Sequence, residues 1–347
     1  MGPVIDTHMH VWAKVGMGYP FPHPYQSNFK TPPCDGTLEM LIDDMDTHGC
    51  TYAVLVQVIY HGWDNRYVVD CVQRYPNRLK AHGLIDPTDP KVADKLEFWI
   101  KERGLAGMRF SPLYYADGMH GGDGWLSADE THQLWRRAEK LSAIFNFFIS
   151  PRQLPKLEKM VQVHPEVRII LDHFSQLDLA ADDPEPEIRL LLGMAKYPNV
   201  WVKVSELSSV SKSKTYPFAD AYPFVKRVYE AFGPDRLLFG TGYPGAARAH
   251  YKRPSLDQEI GLLRKEIPFF MLRIASRFTA GRARQRRPSP GVQGDDVALM
   301  RPTSPRTPLL HLHKPGLFPL KGDLTNDRAV ERGVRRLPAG TGPKRLG

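Results

Sequence analysis

Two histidines stand two residues apart near the start of the chain, in Ile5-Asp6-Thr7-His8-Met9-His10. In a strand, residues i and i+2 share a face, so both imidazoles can project to one side. Two imidazoles converging from one rigid strand suit a divalent ion, with metal–nitrogen distances of about 2.0–2.1 Å. They suit a paired hydrogen-bonding site equally well. The spacing alone decides little, because His311-Leu312-His313 repeats it in the C-terminal tail. Position separates the two, since the first pair closes a short apolar run that reads as an opening strand.

A third histidine, His173, follows another such run in Ile169-Ile170-Leu171-Asp172-His173-Phe174. It is either catalytic or a core histidine satisfied by backbone groups. Arg109 ends Gly107-Met108-Arg109-Phe110-Ser111, where its planar fork would clamp a substrate carboxylate or pair with a carboxylate of a neighbouring strand. Lys203 and Ser205 alternate toward one side of Val200-Trp201-Val202-Lys203-Val204-Ser205-Glu206. A lysine pointing inward needs an anionic partner, protein or substrate. Glu206 is a candidate general base, or an ordinary loop carboxylate.

The elements that must position these groups alternate. Eight short β-branched or apolar runs fall at 4–7, 52–58, 79–85, 105–110, 144–149, 167–171, 200–204 and 237–240. Amphipathic segments separate them near 37–48, 64–75, 90–103, 127–141, 152–163, 185–197, 217–232 and 254–266. Repeated βα units imply a parallel sheet buried on both faces. Eight of them in roughly 270 residues match a (β/α)8 TIM barrel, whose chemistry sits at the C-terminal ends of its strands. A doubly wound sheet fits less well, because no Gly-rich dinucleotide turn follows the first strand. Two long connections, 13–36 and 111–124, leave strands on that same face and read as covers over a substrate.

Composition bounds the function. The 347 residues are 42% hydrophobic and 24% charged, as in a globular protein. No run approaches the roughly 18 apolar residues of a membrane helix, and the N-terminus lacks the marks of a secretory signal, so a cytoplasmic protein is expected. Cys34, Cys50 and Cys71 show no CxxC spacing and read as reduced, small apolar residues. The net charge of +9 hints at nucleic acid, but residues 271–347 hold 16 Lys and Arg against 5 Asp and Glu. Residues 1–270 are then nearly neutral, at −2. The chain divides into a barrel, 1–270, and a basic, Pro/Arg-rich, mostly disordered tail, 271–347, without a nucleic-acid motif. A small-molecule substrate is expected, with neither nucleic acid nor membrane as partner.

Ile5-Asp6-Thr7-His8-Met9-His10, Leu171-Asp172-His173-Phe174, Lys203-Val204-Ser205 and Leu238-Phe239-Gly240-Thr241-Gly242-Tyr243-Pro244 occur in an order that resembles the amidohydrolase-related family often called amidohydrolase 2. The nearest branch is similar to the predicted metal-dependent hydrolases that include the 2-pyrone-4,6-dicarboxylate lactonases. The resemblance covers about residues 3–268. It implies a barrel that hydrolyses lactones or amide-like bonds, or in another branch decarboxylates aromatic acids. It also implies that His8 and His10 match the first-strand pair and His173 the sixth-strand histidine, as ligands of Zn or Mn or as a metal-free site. Three departures stand out. Strand five, Ile144-Phe145-Asn146-Phe147-Phe148-Ile149-Ser150, lacks a histidine that metal-binding members carry. Gly242 stands where the family has an Asp that serves as base or ligand. The chain also leaves the family pattern abruptly near residue 271, as a change of reading frame would produce. The expectation is a hydrolase of a lactone, ester-like or C–N bond in a small carboxylated substrate. His8, His10, His173 and Glu206 would be its catalytic groups, and Arg109, Lys203 and Ser205 would bind substrate. A decarboxylase of an aromatic acid and a catalytically silent binding barrel are the alternatives.

Overall fold

The computed structural model describes residues 4–267. The tail at 271–347, with the disorder and the frame change expected there, lies outside the described residues. Eight parallel strands follow one another in sequence order: β1 (Val4–Met9), β2 (Cys50–Val56), β3 (Leu79–Leu84), β4 (Gly107–Phe110), β5 (Ile144–Phe147), β6 (Arg168–Leu171), β7 (Val200–Val204) and β8 (Leu237–Phe239). The architecture is the (β/α)8 barrel that the alternation predicts.

The seam between β8 and β1 is short and closed largely by individual bonds. The His10 N–H donates to Gly242 O at 2.7 Å, and the Gly242 N–H donates to His8 O at 2.8 Å. Below them the Thr241 hydroxyl donates to Asp6 Oδ2 at 2.6 Å and the Thr7 hydroxyl to Phe239 O at 2.6 Å. Asp6 also accepts from the His8 N–H at 2.9 Å. Burial still dominates that carboxyl and pushes it up to about 6, against the opposing hydrogen bonds. Gly240 is required here: a Cβ at this position would meet the His8 Cβ at 2.5 Å and hold the two strands apart.

The helices pack their apolar stripes on the outside of the sheet. Thr37 caps Leu38–His48 by accepting from the Met40 N–H, Leu38, Leu41 and Met45 face inward, and Gly49 ends the helix at φ 70°. The segment expected at 217–232 is α-helical over Tyr222–Phe232, entered through a 3-10 turn at Ala219–Ala221 after Phe218 takes left-handed backbone at φ 63°. Pro217 disfavours helical backbone at Tyr216, whereas Pro223 fits a first turn. The segments expected at 90–103 and 254–266 begin as α-helix and widen into π-turns over Phe98–Glu102 and Leu262–Glu266. Among the described residues no helix is long and apolar enough to cross a membrane.

Inside the barrel the side chains change character with height. At the base Ile144, Ile170 and Leu238 pack with Trp201. Two residues further along their strands come Asn146, Asp172 and Lys203, joined by His82 of β3, and all four are buried. A barrel interior ordinarily continues with branched apolar side chains. Here a polar storey replaces them and supports the mouth.

Candidate active site

The structure brings the three sequence-predicted imidazoles together. The His8 ring centre lies 4.7 Å from that of His10 and 4.4 Å from that of His173. His8 and His10 both come inward from β1, as their spacing requires.

The hydrogen bonds of the first pair fix a direction. The carbonyl of Val56 can only accept, so His10 Nδ1, 2.7 Å away, carries a proton, and neutral His10 then has a bare Nε2. His8 Nε2 stands 3.2 Å from that atom and is the donor between them. His8 Nδ1 is consequently bare and accepts from Lys203 Nζ at 2.8 Å. The chain runs Lys203 to His8 to His10 to the backbone. Burial keeps these rings neutral: it lowers His8 well below its ordinary range, helped by the Lys203 charge, and takes His10 from 6.5 to about 3 with help from Arg109.

Asp172 is the hub beneath them. Its carboxylate accepts from Lys203 at 3.0 Å, Arg109 Nε at 3.0 Å and Asn146 Nδ2 at 2.5 Å. Burial would raise this carboxyl, but Lys203, His8 and Arg109 outweigh it and hold it well below the ordinary range. Lys203 is wholly buried, so its ammonium acts through His8 and Asp172. Two cations therefore face one carboxylate. Arg109 lies with its guanidinium 4.5 Å above the Phe148 ring.

His173 arrives differently. It follows β6 in a left-handed turn in which His173, Phe174, Ser175 and Gln176 have φ of 50°, 52°, 57° and 57°. Its Nδ1 bonds Ser205 Oγ at 2.7 Å, and its Nε2 lies 3.5 Å from Glu206 Oε1. Burial lowers His173 to about 4, although Glu206 and Asp172 pull the other way. Glu206, itself left-handed at φ 57°, is gripped by Arg253 Nη2 at 2.8 Å. Burial opposes its ionisation, yet Arg253 and His173 carry it down to about 2.

Aromatic side chains wall the mouth. Tyr243 lies 5.3 Å from His10, Phe148 lies 6.2 Å from His173, and Tyr114 lies 6.0 Å from Phe148. The two long connections meet over this wall, with the Tyr25 ring 4.8 Å from Tyr114 and 4.7 Å from His120, and its hydroxyl 3.1 Å from that of Tyr115.

The separation of the two Nε2 atoms suits a divalent ion, because two nitrogens on a tetrahedral Zn stand roughly 3.3 Å apart at ordinary bond lengths. His10 also has the outer partner that a ligating imidazole wants, a carbonyl on its other nitrogen. Donor atoms of His8, Asp172 and His173 lie within 4.8 Å of one another. Asp172 is already saturated by its cations, and Gly242, at φ 92° with open space around its Cβ position, offers no ligand. The two imidazoles of β1 thus fit an ion better than the carboxylate does.

Sequence reasoning passed over Asp172, Asn146 and Arg253. The first two were signalled by the inward parity of their strands, Ile170 to Asp172 and Ile144 to Asn146. Arg253 lies in a loop without periodicity and gave no signal.

The sequence pattern of the amidohydrolase family matches residues 5–266. The chain belongs to the amidohydrolase family. This amidohydrolase is 29% identical over 255 residues to the 4-sulfomuconolactone hydrolase of Rhizobium radiobacter, covering 74% of this chain and 80% of that protein. It is 29% identical over 248 residues to the 2-pyrone-4,6-dicarboxylate hydrolase of Comamonas testosteroni, covering 69% and 76%. Among solved structures, a probable 2-pyrone-4,6-dicarboxylic acid hydrolase from Acinetobacter baumannii superposes with a TM-score of 0.60 at 22% identity, over 77% of this chain and 92% of that one. Hydrolysis is the chemistry of this amidohydrolase.

Proposed function

We propose that this amidohydrolase opens the lactone ring of a small, flat, acid-bearing substrate. The observation that carries the reading is that, among the described residues, Arg109 and Lys203 pair with one carboxylate, Asp172, beside three neutral imidazoles. An extra negative charge is welcome there, and the two hydrolase relatives act on sulfonated or carboxylated compounds by name. The substrate ring lies against Phe148, Tyr114 and Tyr243, with its acid group on the outer nitrogens of Arg109. His8 Nε2–H, polarised from behind by Lys203, exchanges its His10 partner for the lactone carbonyl as charge develops on that oxygen. His173 Nε2 takes the proton of the attacking water as its oxygen bonds the lactone carbon, and the Glu206 carboxylate stabilises the imidazolium that forms. The imidazolium returns the proton to the ring oxygen as the ring C–O bond breaks. Residues of the covering loops exclude bulk water.

A divalent ion, Zn or Mn, would be held by His8 and His10 with His173 beside them, and would supply Lewis-acid polarisation of the carbonyl. The purified full chain, assayed with and without Zn on 2-pyrone-4,6-dicarboxylate, 4-sulfomuconolactone and a neutral sugar lactone, tests the reading. Acid-bearing lactones should open, and His173→Ala should lower the rate by about 10³-fold. No turnover of any lactone under either condition would sink it.

A further inference from the structure

Arg253 reaches the site from the segment after β8 and ends on the segment after β7. Its Nη2 holds Glu206 Oε1 at 2.8 Å, and its Nη1 donates to Ser208 Oγ at 3.2 Å and Ser209 Oγ at 3.3 Å. Its guanidinium sits 5.7 Å above the Tyr243 ring, and its own backbone N–H is tied to Arg248 O at 2.8 Å. The arginine is therefore held at its base, on one ring face and at two of its three nitrogens. The Glu206 carbonyl is tied to the Ser209 and Val210 N–H groups at 2.8 and 3.3 Å, which holds its backbone. That backbone is left-handed, however, which is unfavourable for a side-chain-bearing residue. Among the described residues, the hydrogen bonds and ion pairs of its carboxylate come from Arg253 and His173 alone.

We infer that Arg253 is a positioning residue, which holds Glu206 Oε1 against His173 Nε2 and so aims the imidazole at the substrate. The inference rests on the hydrolytic reading above, with Arg253 acting through Glu206 rather than on the substrate. A fork that engages a carboxylate and two hydroxyls together cannot be reproduced by a single ammonium.

The test pairs kinetics with nitrogen NMR of the full-length protein. Arg253→Ala should lower kcat by about 10²-fold with KM changed by less than about 3-fold, as expected for a group that matters in the transition state. Arg253→Lys should fall between, and added guanidinium ion should restore at least a tenth of the loss in Arg253→Ala. Glu206→Gln should lose a similar amount, and the double variant should be no worse than either single. The ¹⁵N signal of His173 Nε2, assigned by its disappearance in His173→Gln, should move in Arg253→Ala and Glu206→Gln alike. A signal unmoved in Arg253→Ala overturns the inference whatever the activity, and so do losses that multiply in the double variant. If Arg253→Ala does not fold, Arg253→Lys carries the same measurements. A wild type that opens no lactone while the His173 signal moves ends the hydrolytic reading and leaves the positioning contact in place.

Discussion

Two regions deliver imidazoles to the same mouth by opposite means. At the end of β1, His8 and His10 stand on backbone tied to the strand-eight side by the Gly242 N–H to His8 O at 2.8 Å and the His10 N–H to Gly242 O at 2.7 Å, with Gly240 packed against the His8 Cβ position. After β6, His173 opens a run of four left-handed residues that no ladder supports. Left-handed backbone costs roughly 1–2 kcal/mol per residue, so this turn is held by the grip of Ser205 and Glu206 on His173 and by the packing of Phe174 on Phe224. The first region is rigid through its backbone. The second is rigid through its side-chain partners, and its geometry is correspondingly easier to alter.

The largest break in that contrast should come from the hub both regions share. Asp172→Asn keeps the shape but leaves Lys203 and Arg109 buried without a counter-charge, and should cost about 3–5 kcal/mol of stability. Chemical denaturation measures it, and a loss below about 1 kcal/mol would show that the two cations find other compensation.

Acid should act next. Burial holds His8 well below its ordinary range and takes His10 and His82 from 6.5 to about 3 and His173 to about 4. Burial also raises Asp6 from 3.8 to about 6 and Glu259 from 4.5 to about 7. Between about pH 4.5 and 6 an unfolded chain protonates the four imidazoles, while the folded chain holds protons only on the two carboxylates. The unfolded state binds more protons, so stability falls as pH drops through that window. Thermal unfolding followed across it should show a falling midpoint, and a rising one would mean the carboxylates dominate.

The smallest effect separates the regions most cleanly. Ser175 is buried, left-handed at φ 57°, and its hydroxyl has no hydrogen-bond partner among the described residues. Glycine there removes both penalties, so Ser175→Gly should stabilise by about 1 kcal/mol. In β1 the same replacement loses the bond from Thr7 to Phe239 O and stiffness in a strand, so Thr7→Gly should destabilise by about 2 kcal/mol. Equal signs for the two would erase the distinction drawn here.

The same contrast explains what could be read in advance. Every strand was legible because a parallel sheet covered on both faces writes itself as apolar runs, and the His8/His10 pair followed from a period of two. His173 was found by its place at a strand end, although its odd parity relative to Asp172 would send it outward if the strand continued. Only the left-handed turn, which no residue in His173-Phe174-Ser175-Gln176 advertises, brings it back. Glu206 shows the same thing: Lys203 and Ser205 obey the alternation, and Glu206 joins them by a change of backbone hand. Arg253 depends on tertiary proximity alone.

The surplus cation at the foot of the funnel has a practical corollary. On the proposed reading, polyanionic buffers such as phosphate or citrate should compete with the acid-bearing substrate for Arg109, so turnover recorded in them should fall below that in a zwitterionic or amine buffer, by a margin that shrinks as ionic strength rises.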